Sequence, residues 1–265
     1  MTKWLFSDFD DTLKNDRQNK GELDPRDVQF VKEWQDQGNK FVITTGRPYP
    51  VMKKYFSTRD VKPDAFICLT SAVIYVNDEP ISISPIEGKL KSDINAMVKK
   101  FDKDIKGVAV STIQGDVLLF HDDWNERLRT HQINMDPLGL TIDSSNDYDV
   151  LIYKLFAPAD TWLTTRAEFE KIDNIIIHHW KIPEGFYIEV MSATTRKENG
   201  IRKIQELYGF EDEDIIVAGD DINDWSMFEE FKDNAVMVKH KWNVDHRDKV
   251  SYHVDQIFEI KNLFK

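Results

Sequence analysis

Four short segments of this chain set phosphate-competent side chains beside or just beyond apolar runs. They are Trp4-Leu5-Phe6-Ser7-Asp8-Phe9-Asp10-Asp11-Thr12, Phe41-Val42-Ile43-Thr44-Thr45-Gly46-Arg47, Thr195-Arg196-Lys197 and Ile215-Ile216-Val217-Ala218-Gly219-Asp220-Asp221-Ile222-Asn223-Asp224. A phosphoryl group can pass through a covalent carboxylate intermediate, which divides one hard displacement into two easier ones and needs an ionised carboxylate beside a cation. Asp8 fits the nucleophile. Asp10, two residues on, points from the strand end to the same side, where it can protonate a leaving oxygen and later take a proton from water. If the strands carrying them are neighbours, Asp8, Asp10 and Asp220 crowd together. Several carboxylates stay ionised at close range only when a cation compensates them, and oxygen ligands without His or Cys suit a hard ion such as Mg2+. The segments together predict a metal-dependent phosphate site. A solvated turn after a strand accounts for Asp8, Asp10 and Asp11 taken alone, but not for Asp220 and Asp224 as well.

The remaining polar positions extend that site. Thr45 ends an apolar strand with Gly46 behind it, which lets a hydroxyl and backbone amides approach a phosphate oxygen. Arg47 either contacts substrate or a cap over it, or sits at the surface. Thr195 and Glu198 have capping-box spacing, which places Arg196 and Lys197 in the first turn of a helix, where the macrodipole disfavours cations unless an anion faces them. Either of the two can be the residue that faces it. Helix capping explains one Asn or Asp in the last segment but not three Asp and one Asn within residues 220–224. Asp220 is read as a direct metal ligand, with Asn223 and Asp224 orienting Lys197, metal-bound water or both, Asp224 in a second shell or through water.

These residues need a scaffold that gathers strand ends. Apolar, β-branched runs ending in carboxylates read as buried parallel strands, and in open α/β sheets chemistry sits beyond the carboxyl ends of such strands. Residues 1–82 alternate strand and helix: Asp24-Pro25 opens a helix that closes at Gly38, strands follow at 41–45 and 65–69, and 72–76 reads as a hairpin strand. From Ser84 the texture changes to helix at 88–103, strands at 108–111 and 117–120 around a Gln114-Gly115-Asp116 turn, strand at 148–156, helix at 160–172 and strands at 175–177 and 186–191. That order suits a sheet with helices on one side. The alternating pattern then resumes with helix 195–208, strand 215–219, a helix from 223 and a strand at 235–238.

In order and spacing the four segments resemble the motifs of the haloacid dehalogenase (HAD) superfamily of phosphohydrolases, and within it the Cof-like, type IIB, C2-capped phosphatases. The resemblance spans nearly the whole chain. It implies an α/β fold: a Rossmann-like parallel-sheet core, 1–83 and 190–265, with an inserted α+β cap, 84–189, that closes over the substrate and selects the leaving group. It also implies Mg2+ held by Asp8, the Asp10 backbone carbonyl and Asp220, phosphate bound by Thr45 rather than Thr44, and transferring charge stabilised by Lys197. Gly46, Arg47 and Asn223 join Thr45 and Lys197 around the substrate, a small phosphorylated metabolite such as a sugar or cofactor phosphate. A sugar phosphomutase on the same scaffold is the alternative; a non-catalytic ligand-binding relative would be marked by loss of Asp8, Asp10 or Asp220, and all three are present. Three places depart from the relatives' pattern. Lys197 is followed by Glu198-Asn199-Gly200 rather than at once by glycine, Thr70-Ser71-Ala72 stands where Asn-Gly-Ala is common, and 236–242 lacks the usual small residues and asparagine.

Composition sets the outer bounds. The 265 residues, 41% hydrophobic, suffice for a full α/β core and a second domain. A net charge of −12 disfavours nucleic acid and anionic membranes as partners. The single cysteine, Cys68, lies in an apolar run and reads as a buried structural thiol, no apolar run approaches bilayer length, and no signal core follows Met1, so a cytoplasmic location is expected. His178 and His179 are adjacent on a strand and point opposite ways, a poor geometry for one metal.

Overall fold

The computed structural model describes residues 2–14, 22–121 and 141–264; the stretch 122–140 of the expected inserted module lies outside them. In chain order the strands and α-helices are β1 (Trp4–Asp8), α1 (Pro25–Asp36), β2 (Lys40–Thr44), α2 (Tyr49–Phe56), β3 (Ala65–Cys68), β4 (Val73–Val76), β5 (Glu79–Ile83), α3 (Gly88–Lys100), β6 (Gly107–Thr112), β7 (Gly115–His121), β8 (Ile152–Ala157), α4 (Ala159–Phe169), β9 (Ile175–Ile182), β10 (Gly185–Ser192), α5 (Lys197–Tyr208), β11 (Ile215–Gly219), α6 (Trp225–Glu230), β12 (Ala235–Val238) and β13 (Tyr252–Val254).

Two compact units divide the chain. The first comprises Met1–Arg47, Met52–Ile83 and Arg196–Lys265, the second Pro48–Val51 and Ser84–Thr195. In the first, eight strands run in the order β13-β12-β11-β1-β2-β3-β4-β5. All neighbours from β13 to β3 pair parallel, and the β3-β4-β5 edge is an antiparallel meander. Parallel strands are covered on both faces, which is why β1 and β11 read as unbroken apolar runs: every residue of both is buried. Trp4, Phe6, Val42, Ile67, Val217 and Met237 form one core with Ile201 and Ile204 of α5 and Met227 and Phe228 of α6. Helix α1 starts as its sequence requires. Asp24 caps it by accepting the Arg26 amide, Pro25 takes the first position, and the chain leaves through left-handed Gly38.

The second unit holds an antiparallel sheet in the order β7-β6-β8-β10-β9. Val108, Val110, Tyr153, Leu155, Ile188 and Val190 line one face of it and pack with Ile94 and Val98 of α3 and Trp162 and Phe169 of α4. β9 runs further than the apolar triplet suggested and includes both histidines. His179 packs edge-on against Trp162 and Phe186, while His178 meets Trp180, so the pair is divided between the faces. The first boundary falls at Ser84. The second falls at Arg196 rather than at 190, because β10 continues through Ser192 in register with β9.

Candidate active site

The parallel register decides which side chains meet. β1 lies between β11 and β2, with Asp8 opposite Thr44 and Ser7 opposite both Ala218 and Ile43. Asp8 therefore ends its strand beside the ends of the two that carry Asp220 and Thr45. Lys197, the first residue of α5, is fully buried between them; its ammonium donates to Asp8 Oδ1 at 2.5 Å and to Asp224 Oδ1 at 2.6 Å. One oxygen from each of Asp8, Asp220 and Asp224 lies within 4.8 Å of the others, a spacing one ion could span.

Asp224 is committed on both sides. Its Oδ2 accepts the amides of Asp220 at 2.9 Å and Asp221 at 3.1 Å, while Oδ1 takes Lys197. Gly219 makes this possible: a Cβ there would fall 2.4 Å from the Asp224 carboxyl carbon. The same logic holds for α5, where a Cβ on Gly200 would lie 2.5 Å from Ile67 Cγ2 and 2.9 Å from Ser71 Cβ. Gly200 lets the helix approach β3 closely, one turn after the lysine rather than immediately after it.

Burial raises the Asp8 carboxyl to about 8, with Asp224 adding to the rise and Lys197 opposing it. Burial and then the nearby Asp8 raise Asp220 to about 9. Burial alone would lower the Lys197 ammonium, but Asp224 and Asp8 outweigh it and hold it above the usual lysine range. One ammonium thus joins two of three clustered buried carboxyls, whose burial and mutual proximity oppose ionisation, and a divalent cation would restore the charged forms. An all-oxygen donor set of this kind fits Mg2+.

Of the two basic candidates, Lys197 is the one at the carboxylates. Arg196 is the exposed N-cap residue of α5. The expected capping box is absent: α5 begins two residues later than Thr195, whose buried Oγ1 has no hydrogen-bond partner. The two anchoring carboxylates offset the unfavourable dipole instead. Thr45 is buried, and its Oγ1 accepts the Arg47 amide at 3.1 Å. Thr44 instead faces Met227. Gly46 is under no steric demand from the protein, since a Cβ there would meet only Thr70 Oγ1 at 3.8 Å. Arg47 is partly exposed, and its guanidinium grips both oxygens of Asp10, Nε to Oδ2 and Nη2 to Oδ1, each at 2.6 Å. Asn223 is half-buried in the turn between Asp220 and Asp224.

Several residues enter the site without a role assigned to them from sequence. Thr12 donates its hydroxyl to Asp220 Oδ1 at 2.9 Å. Leu69, Thr70 and Ser71 adopt positive φ in succession, 49°, 55° and 87°, in the turn after β3, and the Thr70 amide donates to the Thr45 carbonyl. Three strained residues together mark a turn held by its surroundings, and this one braces the Thr45–Arg47 segment. His240 and Asn243 reach the Asp11 and Asp220 carbonyls. The one signal for His240 was the departure of 236–242 from the relatives' pattern; Asn243 lies just beyond that segment.

A mostly parallel α/β sheet with acidic strand ends, a buried lysine and an α+β insertion define an α/β protein whose site lies beyond the carboxyl ends of its strands. The family model for haloacid dehalogenase-like hydrolases matches residues 5–245. An uncharacterized protein of Mycoplasma capricolum is 35% identical over 265 residues, covering 98% of this chain and 100% of that one. The 5-amino-6-(5-phospho-D-ribitylamino)uracil phosphatase YitU of Bacillus subtilis is 24% identical over 232 residues, covering 84% of this chain and 81% of that one. Among solved structures, the HAD subclass IIB sugar phosphatase BT4131 shares the fold, with a TM-score of 0.78 at 21% identity over 99% of each chain. The chain belongs to the haloacid dehalogenase-like hydrolase family and is an enzyme of that class. No helix among the described residues is long and apolar enough to cross a membrane.

Proposed function

We propose that this enzyme is a Mg2+-dependent phosphatase that hydrolyses a small phosphate monoester through a phosphorylated Asp8. The observation that carries the reading is the buried cluster in which Lys197 joins Asp8 to Asp224 with Asp220 within reach of the same ion. Asp8 attacks phosphorus with one carboxylate oxygen, the bond to the leaving oxygen breaks, and Asp10, entering the step as the protonated acid, gives that oxygen its proton. Water then attacks the aspartyl phosphate and passes its proton to Asp10, which releases inorganic phosphate and restores Asp8. Asp8, Asp220 and the Asp10 backbone carbonyl would hold the cation. When bound, it keeps the carboxylates ionised and offsets phosphate charge.

Lys197 stabilises the charge on the transferring group, oriented by Asp224 from behind. The Thr45 hydroxyl, having accepted the Arg47 amide, still has its hydrogen to donate to a phosphate oxygen, and the Gly46 amide and Asn223 complete the cradle. Arg47 fixes the direction of the Asp10 carboxylate, which serves the leaving oxygen once one arm of that fork opens. A sugar or cofactor phosphate is the substrate class, a reading supported by the phosphoribityl compound for which YitU is named and by the sugar phosphatase of the same fold. The test is phosphate release from a panel of sugar, pyridoxal, flavin and aryl phosphates, with and without Mg2+, beside Asp8→Asn. Mg2+-dependent turnover that falls by about 10^3-fold or more in the variant is expected; release that persists in Asp8→Asn would end the covalent reading.

A further inference from the structure

We propose that His240 and Asn243 form a clamp that holds the Asp11 turn and Asp220 at the separation the cation needs, which makes both of them positioning residues. The proposal rests on the metal-dependent reading above. Residues 239–243 follow β12, and two of their side chains reach the two carboxylate loops. His240 Nε2 lies 2.5 Å from the Asp11 carbonyl oxygen; a carbonyl can only accept, so Nε2 carries the hydrogen. Asn243 Nδ2 donates to the Asp220 carbonyl at 2.9 Å and to the Val238 carbonyl at 2.8 Å, and its Oδ1 accepts the His240 amide at 3.0 Å. The two side chains are thereby joined into one span running from Asp11 to Asp220.

The imidazole is held in its plane. It lies flat on the Trp242 indole, with centroids 4.1 Å apart and an interplanar angle of 3°, and Arg247 Nη2 donates to the His240 carbonyl at 2.9 Å. Its Nε2 stands 4.0 Å from Asp220 Oδ2, beyond hydrogen-bond range, so the ring supports the Asp11 turn and does not occupy the metal-facing carboxylate.

The far end of the span is the part of the site that needs support. Asp11 has a φ of 56°, a left-handed conformation uncommon outside glycine, and its peptide neighbour Asp10 supplies the carbonyl proposed as a ligand. Rotation of this turn would move that carbonyl and would also pull Thr12 away from Asp220 Oδ1. Outer partners of this kind tune metal sites because they fix the direction of the ligand lone pairs.

The experiment is calorimetric titration of Mg2+ into the metal-free full chain, with thermal unfolding of the same preparations in chelator. His240→Leu keeps bulk and removes the donor, whereas His240→Gln sets an amide N–H close to the position of Nε2. The clamp predicts that Leu weakens Mg2+ binding by about 10-fold or more while Gln stays within about 3-fold of wild type, at similar metal-free melting temperatures. In turnover, Leu should raise the Mg2+ concentration for half-maximal rate more than the KM for the ester. Wild-type affinity in the Leu variant, equal loss in Leu and Gln, or a loss that follows melting temperature would each overturn the clamp. A wild-type chain that binds no Mg2+ would overturn the metal reading itself, and the clamp with it.

Discussion

In the core unit the buried charges that cluster with Lys197 lie at or just beyond the ends of parallel strands, Asp8 at the end of β1 and Asp220 after β11, with Lys197 opening a helix between them. In the inserted unit they lie inside antiparallel strands. Lys154 of β8 sits directly opposite Glu189 of β10 and donates to Asp116 Oδ2 on β7 at 2.7 Å; Ser111 donates to the other oxygen of Asp116, and Tyr187 to Glu189 Oε1. Parallel strands bring their carboxyl ends to one edge of the sheet, where loops are free to aim side chains at a common point. Antiparallel strands present charge on alternate positions of one face, where each group is committed to partners along and across the strands. The first arrangement sets three carboxyls against one ammonium, an excess of two; the second approaches balance within itself.

Removing one lysine from each network gives the sharpest contrast. Lys197→Met strands Asp8 and Asp224, both buried, and should lower phosphate release by about 10^3-fold and stability by about 3–5 kcal/mol. Lys154→Met strands Asp116, which keeps its Ser111 bond and some water, so turnover of a small aryl phosphate should change by less than about 10-fold. Urea unfolding and phosphate release on the same preparations check both, and equal losses of activity would erase the distinction.

A smaller change probes how tightly the strand-end site is built. Gly219→Ala places a methyl against the Asp224 carboxyl and should cost about 1–3 kcal/mol, with activity falling as Asp224 leaves Lys197. Unchanged turnover in a destabilised Gly219→Ala would show that Asp224 does not orient the lysine.

The smallest effect separates burial from crowding. Asp27 of α1 is buried away from the lysine site, and burial raises its carboxyl from 3.8 to about 7, partly offset by the Phe258 amide that donates to it. A carboxyl raised in the folded state contributes stability that is present below about pH 4 and is lost as pH rises through about 7. Asp27→Asn cannot ionise and keeps the acceptor. Its melting temperature relative to wild type should therefore climb by several degrees between pH 4 and pH 8, with turnover unchanged. A difference that is flat with pH would mean that Asp27 titrates as it does in the unfolded chain.

Much of the architecture could be read in advance because its signals are local. The Asp24-Pro25 start and Gly38 end of α1, the unbroken apolar runs of β1 and β11, and the turn at Gly115 each lie within a few residues of the structure they specify. Elements without such signals escaped. β5 is an exposed edge strand and β13 is three residues long, so neither carries an apolar run. The capping box at Thr195 failed for a non-local reason: the site holds Lys197 at the first helical position, and the box needed the helix to begin earlier.

The sequence by itself determined which residue types stand at the strand ends, and so the family and the expectation of carboxylate chemistry beside a cation, because apolar periodicity and the polar residues that close it lie side by side in the chain. Only the tertiary structure decided that Lys197 and not Arg196 meets Asp8, that Asp224 spends both oxygens on Lys197 and the 220–221 amides, that Arg47 grips Asp10, and that His240 and Asn243 tie Asp11 to Asp220. Each of these depends on the rotation of a helix or the aim of a loop. Those are set by close packing, such as Gly200 against Ile67 and Gly219 against Asp224, between residues that periodicity cannot relate.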